Sequence, residues 1–360
     1  MPEITLRHRL RVRRSDLRVK VADRALHAFA RVRFALPSAD PGRLHIALRR
    51  DLAYRPTDDP AHTVDVFMPT RAPKPQPTLL YVHGGGFSMC SKETHRVMAL
   101  AYARRGYLVF LINYRLGPKH LFPAPIEDAT EALLWVRDNC AYFGGDPARL
   151  AIAGESAGGN LVTALALATS LRRPEPFARK LFDANVKLRA AIATYGYLDL
   201  ESVDHYDRHP RLKPRVKDLL LHAATSYVGL DVRAGAAAAP LASPLLVLER
   251  TNKLDRPLPP FFADVGTRDP LFGDSRRLKA AVEQHGGTCH LHIAPGEIHG
   301  YDALLWRGPS REKWRRVHEF LAPRMGPSLA RHVQEREENE EREEKERRRE
   351  EAAHPRSELA

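Results

Sequence analysis

Ser156 lies in Gly154-Glu155-Ser156-Ala157-Gly158, a G-x-S-x-G pattern followed by Gly159. The pattern suits a sharp strand-to-helix turn whose flanking residues must lack bulk. Such a turn lifts the serine hydroxyl out of the sheet toward a base. The apolar run Leu150 to Ala153 before it and the helical pattern Asn160 to Leu171 after it provide that setting. Upstream, His83-Gly84-Gly85-Gly86-Phe87 ends the apolar run Leu79 to Val82. Three glycines let backbone N–H groups come close to a ligand, where a side chain would block access. With the N–H of Ala157 they are placed to hold an oxyanion. His83 reads as a structural residue that holds the loop by a hydrogen bond, and Glu155 as support beside the serine. A phosphate-binding loop is the weaker reading, because neither G-x-G-x-x-G nor GxxxxGK[ST] occurs here.

A serine hydroxyl needs a base, and the base needs an orienting carboxylate. In enzymes with this turn the chain order is Ser, then Asp or Glu, then His, with the partners on loops after late strands. Asp269 follows the run PPFFADVG, and His299 follows CHLHIAP. The competitors fit less well. Asp274 falls at a helix start, where N-capping is the expected role. His290 and His292 lie inside a strand, and His318 inside a helix. A metal site on His290-x-His292 lacks a third ligand at matching spacing, and the three cysteines (Cys90, Cys140, Cys289) show no CxxC. Neither a metal nor a cofactor is expected.

The elements that must position these groups follow from hydrophobic patterning. Short apolar runs such as YLVFLINYR, RLAIAGES, RAAIATYGYL and PLPPFFADVG alternate with helical stretches, among them Pro125 to Phe143. That alternation predicts an α/β fold, a mostly parallel twisted sheet with helices on both faces. Residues 1–50 read as an amphipathic helical segment, with Leu17, Val21, Leu26, Phe29 and Val32 at helical spacing. Between residues 201 and 255 the alternation fails, and the segment reads as a helical insertion over one edge of the sheet. Residues 51–200 and 256–326 then make up the α/β part. From Gln334 to Glu358 a Glu/Arg-rich run lacks large apolar side chains, so residues 327–360 read as a solvated helix or as disordered.

With 360 residues, 43% of them hydrophobic, the chain can bury a sizeable core, so global disorder is excluded. No apolar run is long enough for a signal peptide or a membrane span, which predicts a cytoplasmic protein without stable membrane insertion. The net charge of +13 is uneven. Residues 1–50 hold 13 Lys+Arg against 4 Asp+Glu, and residues 331–360 hold 8 against 11. A basic arm of this kind suits nucleic acid, an anionic membrane surface or a plain solvated face. No nucleic-acid-binding motif accompanies the charge, which favours the solvated face.

Taken together, HGGGF, the stretch Tyr114 to Ala124, GESAGGN, TRDPL and EIHGY resemble the hormone-sensitive lipase family of α/β-hydrolases, bacterial family IV. The resemblance runs from about Asp51 to Met325 with its motifs in order. It implies a serine carboxylesterase acting on short- to medium-chain esters of small molecules, without a cofactor. By position it makes Ser156 the nucleophile, Asp269 and His299 its partners, and Gly85, Gly86 and Ala157 the oxyanion donors, with Gly84 in the same loop. It also implies a helical cap built from residues 1–50 and 201–255. Glu155, Gly117 and Lys119 depart from the commoner family residues, and the charged tail has no counterpart. The alternatives are an amidase or deacetylase of a specific metabolite on the same triad, or a non-catalytic ligand receptor. Receptors resembling the family have lost the histidine, whereas His299 stands here in full context. A homodimer is possible, and no nucleic-acid partner is expected.

Overall fold

The computed structural model describes residues 6–208 and 212–326. The charged run from Gln334 lies outside the described residues. Eight strands form one sheet: β1 (Ile46–Ala53), β2 (Thr63–Pro69), β3 (Gln76–Val82), β4 (Leu108–Ile112), β5 (Gly145–Glu155), β6 (Leu188–Thr194), β7 (Phe261–Gly266) and β8 (Cys289–Ala294). Their spatial order is β1-β2-β4-β3-β5-β6-β7-β8, antiparallel over the first three and parallel from β4 onward. This is an α/β-hydrolase fold. All residues of β3, β4 and β7 are buried, as uninterrupted apolar runs require when both sheet faces are covered.

The helices fall into two sets by what they cover. α1 (Leu6–Phe34) precedes the sheet, and α2 (Arg96–Ala103) follows β3. α3 (Ala124–Asn139), α4 (Ala157–Ser170) and α5 (Pro176–Asp183) come next, on the other face from α2. The segment that breaks the alternation holds α6 (Val203–Arg208), α7 (Pro214–Val228), α8 (Val232–Ala238) and α9 (Pro244–Arg250). α10 (Phe272–Gln284) joins β7 to β8, and α11 (Gly308–Met325) packs beside α2 on the second face. α4 is buried along its whole length, which explains why its sequence shows no polar stripe.

Two expectations change at the N-terminus. The helical reading of residues 1–50 overruns, because α1 ends at Phe34 and residues 46–50 already belong to β1. The apolar positions also point the other way from a core-facing stripe. Leu17, Val21, Phe29 and Val32 are exposed, while Ser15, Val19 and Ala30 are buried. Helical spacing reports that a segment is a helix but not what its apolar side meets. Among the described residues no helix is long and apolar enough to cross a membrane.

Candidate active site

β5 delivers Glu155 at its end, and α4 starts at Ala157, so Ser156 must turn the chain in one residue. It does so at φ 55° and ψ −117°, a conformation that L-residues rarely hold and that the surroundings must impose. The Ser156 N–H donates to Thr194 O at 3.0 Å, pinning the turn to β6. The glycines on either side are required by contact. A Cβ on Gly158 would stand 2.1 Å from Val82 O, and one on Gly154 2.6 Å from Gly158 O.

The loops after β7 and β8 are pressed together, since the Arg268 N–H donates to Glu297 O at 3.0 Å. This brings Asp269 and His299 side by side. His299 Nδ1 lies 2.9 Å from Asp269 Oδ2, and His299 Nε2 lies 2.9 Å from Ser156 Oγ. A carboxylate only accepts, so Nδ1 carries the proton and Nε2 of the neutral ring accepts from the serine hydroxyl. The other Asp269 oxygen accepts from the Leu271 N–H at 2.8 Å, which leaves the carboxylate buried and oriented. Burial by itself lowers the pKa of His299. The charge and hydrogen bond of Asp269 outweigh it, so the imidazole titrates above its usual value. Tyr195 packs its ring 4.5 Å from that of His299.

The glycine loop folds over the turn with Gly85, Gly86 and Phe87 all at positive φ. At Gly85 a Cβ would meet Met89 O at 2.2 Å, so only glycine fits. Gly85, Gly86 and Ala157 line the same cavity as Ser156. Gly84 leaves the oxyanion set, because its N–H already donates to Glu155 Oε1 and an N–H has one proton to give. Glu155 also accepts from Tyr81 and pairs with His95 Nε2 at 2.8 Å. His83 is stacked between His95 and Tyr114, with its Nδ1 2.7 Å from Gly84 O. Burial pushes its pKa down to about 3, so the ring is neutral.

The competing residues go elsewhere. Asp274 caps no helix. It is buried within α10 and accepts from the Leu198 and Asp199 N–H groups and from Tyr206 Oη, and burial pushes its pKa up to about 7. His292 pairs with Asp264 at 2.7 Å, and His318 is buried in α11. Among the described residues no His, Cys, Asp and Glu cluster suits a metal ion.

The cavity over Ser156 is about 540 Å³ and predominantly apolar. Val19 and Leu26 of α1 and Val216, Leu219 and Leu220 of α7 face the catalytic-side loops across it. These helices also hold the glycine loop. Asp23 accepts from the Cys90 N–H at 2.8 Å, His27 Nε2 meets Ser91 Oγ at 2.9 Å, and Phe87 stacks on Tyr227 at 3.9 Å. None of His95, Tyr195, Asp23 or His27 carries a sequence signal of its own. Each joins the site through contacts between distant segments.

Residues 79–303 match a family model described as having the alpha/beta hydrolase fold. The chain belongs to the hormone-sensitive lipase family of α/β-hydrolases. It is similar to the carboxylesterase NlhH of Mycobacterium tuberculosis, 33% identical over 240 residues, which cover 66% of this chain and 70% of that protein. The esterase LipC of the same species is 32% identical over 258 residues, covering 69% of this chain and 59% of that protein. In three dimensions it resembles the esterase LipW from Mycobacterium marinum, with a TM-score of 0.68 and 25% identity over 85% of this chain and 90% of that chain. As a member of that family the chain is a carboxylic ester hydrolase.

Proposed function

We propose that the chain hydrolyses short- to medium-chain esters of small molecules through an acyl-enzyme on Ser156. The observation that carries this reading is the unbroken line Ser156 Oγ, His299 Nε2, His299 Nδ1, Asp269 Oδ2, with both gaps at 2.9 Å, at the base of an apolar cavity. As Oγ attacks the ester carbonyl, its proton passes to Nε2, and Asp269 steadies the imidazolium that forms. The carbonyl oxygen gains its negative charge within reach of the Gly85, Gly86 and Ala157 N–H groups. Each such donor typically accounts for about 3 kcal/mol of transition-state stabilisation. The C–O bond to the alcohol then breaks, and His299 gives the departing oxygen its proton. Water, deprotonated by His299, repeats the sequence on the acyl-enzyme and returns Ser156.

The same reading makes α1 and residues 201–255 a cap, whose apolar side chains over the cavity select the acyl chain. The upper limit of chain length is therefore set by Leu26, Leu219 and their neighbours. Ser156→Ala is expected to lower kcat on a short-chain nitrophenyl ester by on the order of 10⁴- to 10⁶-fold. Turnover within tenfold of the unaltered protein would overturn the assignment. A fluorophosphonate is expected to label one site per chain, and to lose it in the same variant.

A further inference from the structure

α1 turns four of its large apolar side chains outward. Leu17, Val21, Phe29 and Val32 are 66%, 61%, 61% and 67% exposed. At about 100° per residue they share one arc of roughly 120° on the helix surface. Ala25 and Ala28 are exposed in the same arc, and no charged residue falls on it between Val21 and Val32. Arg13, Lys20, Arg24 and Arg31, all exposed, form a row along one margin. The other margin leads through Leu26 to the mouth of the cavity, where Leu219 and Ile298 are also exposed. Past the end of α1, Trp306 is 62% exposed, with the Arg33 guanidinium 5.7 Å from its ring centroid.

An apolar stripe of this length on a helix surface calls for a partner. A second copy supplies apolar area but also a second basic row, within residues 1–50 that already hold 13 Lys+Arg against 4 Asp+Glu. An anionic lipid surface meets both halves of the pattern. Acyl chains take up the apolar arc, phosphate headgroups face the arginine row, and an exposed tryptophan suits the boundary between them. We propose that the outer face of α1 docks the protein peripherally on an anionic lipid surface, with the mouth of the cavity at the lipid boundary. Docking itself does not rest on the hydrolytic reading, because it is measured without turnover.

The test is cosedimentation of the full chain with vesicles of phosphatidylglycerol and phosphatidylcholine in equal parts, beside pure phosphatidylcholine. Binding is expected to the anionic vesicles only, and to weaken as salt is raised. V21D/F29D is expected to cut the partition coefficient by roughly tenfold or more, and R24E/R31E to do the same. Both double variants should keep the unaltered kcat/KM on a water-soluble ester and the unaltered unfolding midpoint, which separates lost docking from lost folding. The proposal is overturned if the unaltered chain ignores anionic vesicles at low salt, or if V21D/F29D binds them as well as before. It is equally overturned if V21D/F29D turns a dimer into a monomer in sedimentation velocity while vesicle binding stays the same.

Discussion

On one side of the cavity stand α4 and the loops after β5, β7 and β8; across from them stands α1. Every residue of α4 is buried, and the turn before it is held by β3, β6 and the glycine loop. α1 is about twice as long, yet Leu17, Val21, Phe29 and Val32 on it stand exposed, and polar contacts from Asp23 and His27 join it to the glycine loop. Ser156, Asp269 and His299 thus sit on a part of the molecule where packing determines each position several times over. A strained serine can persist only in such surroundings. The facing helix buries Ser15, Val19 and Ala30 and pairs with Asp218 of α7, while its outer side stays open, which suits a surface that meets what comes from outside.

The sharpest test of this contrast is on the packed side. Asp269→Asn is expected to lower kcat by on the order of 10⁴, because a neutral amide no longer stabilises the imidazolium. It should also move the pH profile. In the proposed mechanism His299 must be neutral to accept the serine proton, so kcat/KM is expected to fall as pH drops through a pKa that Asp269 holds above the usual value. Without that charge the acid limb is expected at lower pH, and an unmoved limb would mean that another group sets it. Next in size is a stability comparison by chemical unfolding. Leu165→Ala in α4 is expected to cost about 2–5 kcal/mol, as a fully buried side chain leaves a cavity. Val21→Ala in α1 should change stability by about 0.5 kcal/mol or less. Equal costs would break the contrast. The smallest effect on catalysis is expected from Asp23→Ala, which leaves the Cys90 N–H without its acceptor. Loosening the glycine loop by that one bond should reduce kcat/KM roughly three- to tenfold while the unfolding midpoint barely shifts.

The catalytic-side elements were legible because their chemistry is local. A turn that needs glycine at Gly154 and Gly158, and a loop that needs it at Gly85, announce themselves in a chain otherwise bound by side-chain bulk. The sequence also orders Ser156, Asp269 and His299, since each follows an apolar strand run. It could not reveal that Gly84 spends its N–H on Glu155, because the two stand 71 positions apart and meet only in the folded chain. Asp274 misled for a related reason. Its position suggests a cap, while its carboxylate is taken by the segment around Leu198 and by Tyr206.

What the sequence determined by itself, then, is the sheet with its flanking helices, the three groups that meet over it, and the helical character of α1. Tertiary structure alone decided which face of α1 is buried, which glycine N–H groups remain available, and how His95 and Tyr195 enter the site. Periodicity and turn chemistry are properties of a few consecutive residues and survive in a one-dimensional reading. Direction of burial and the partner of a single N–H depend on what distant segments bring to the same place, which only the folded chain specifies.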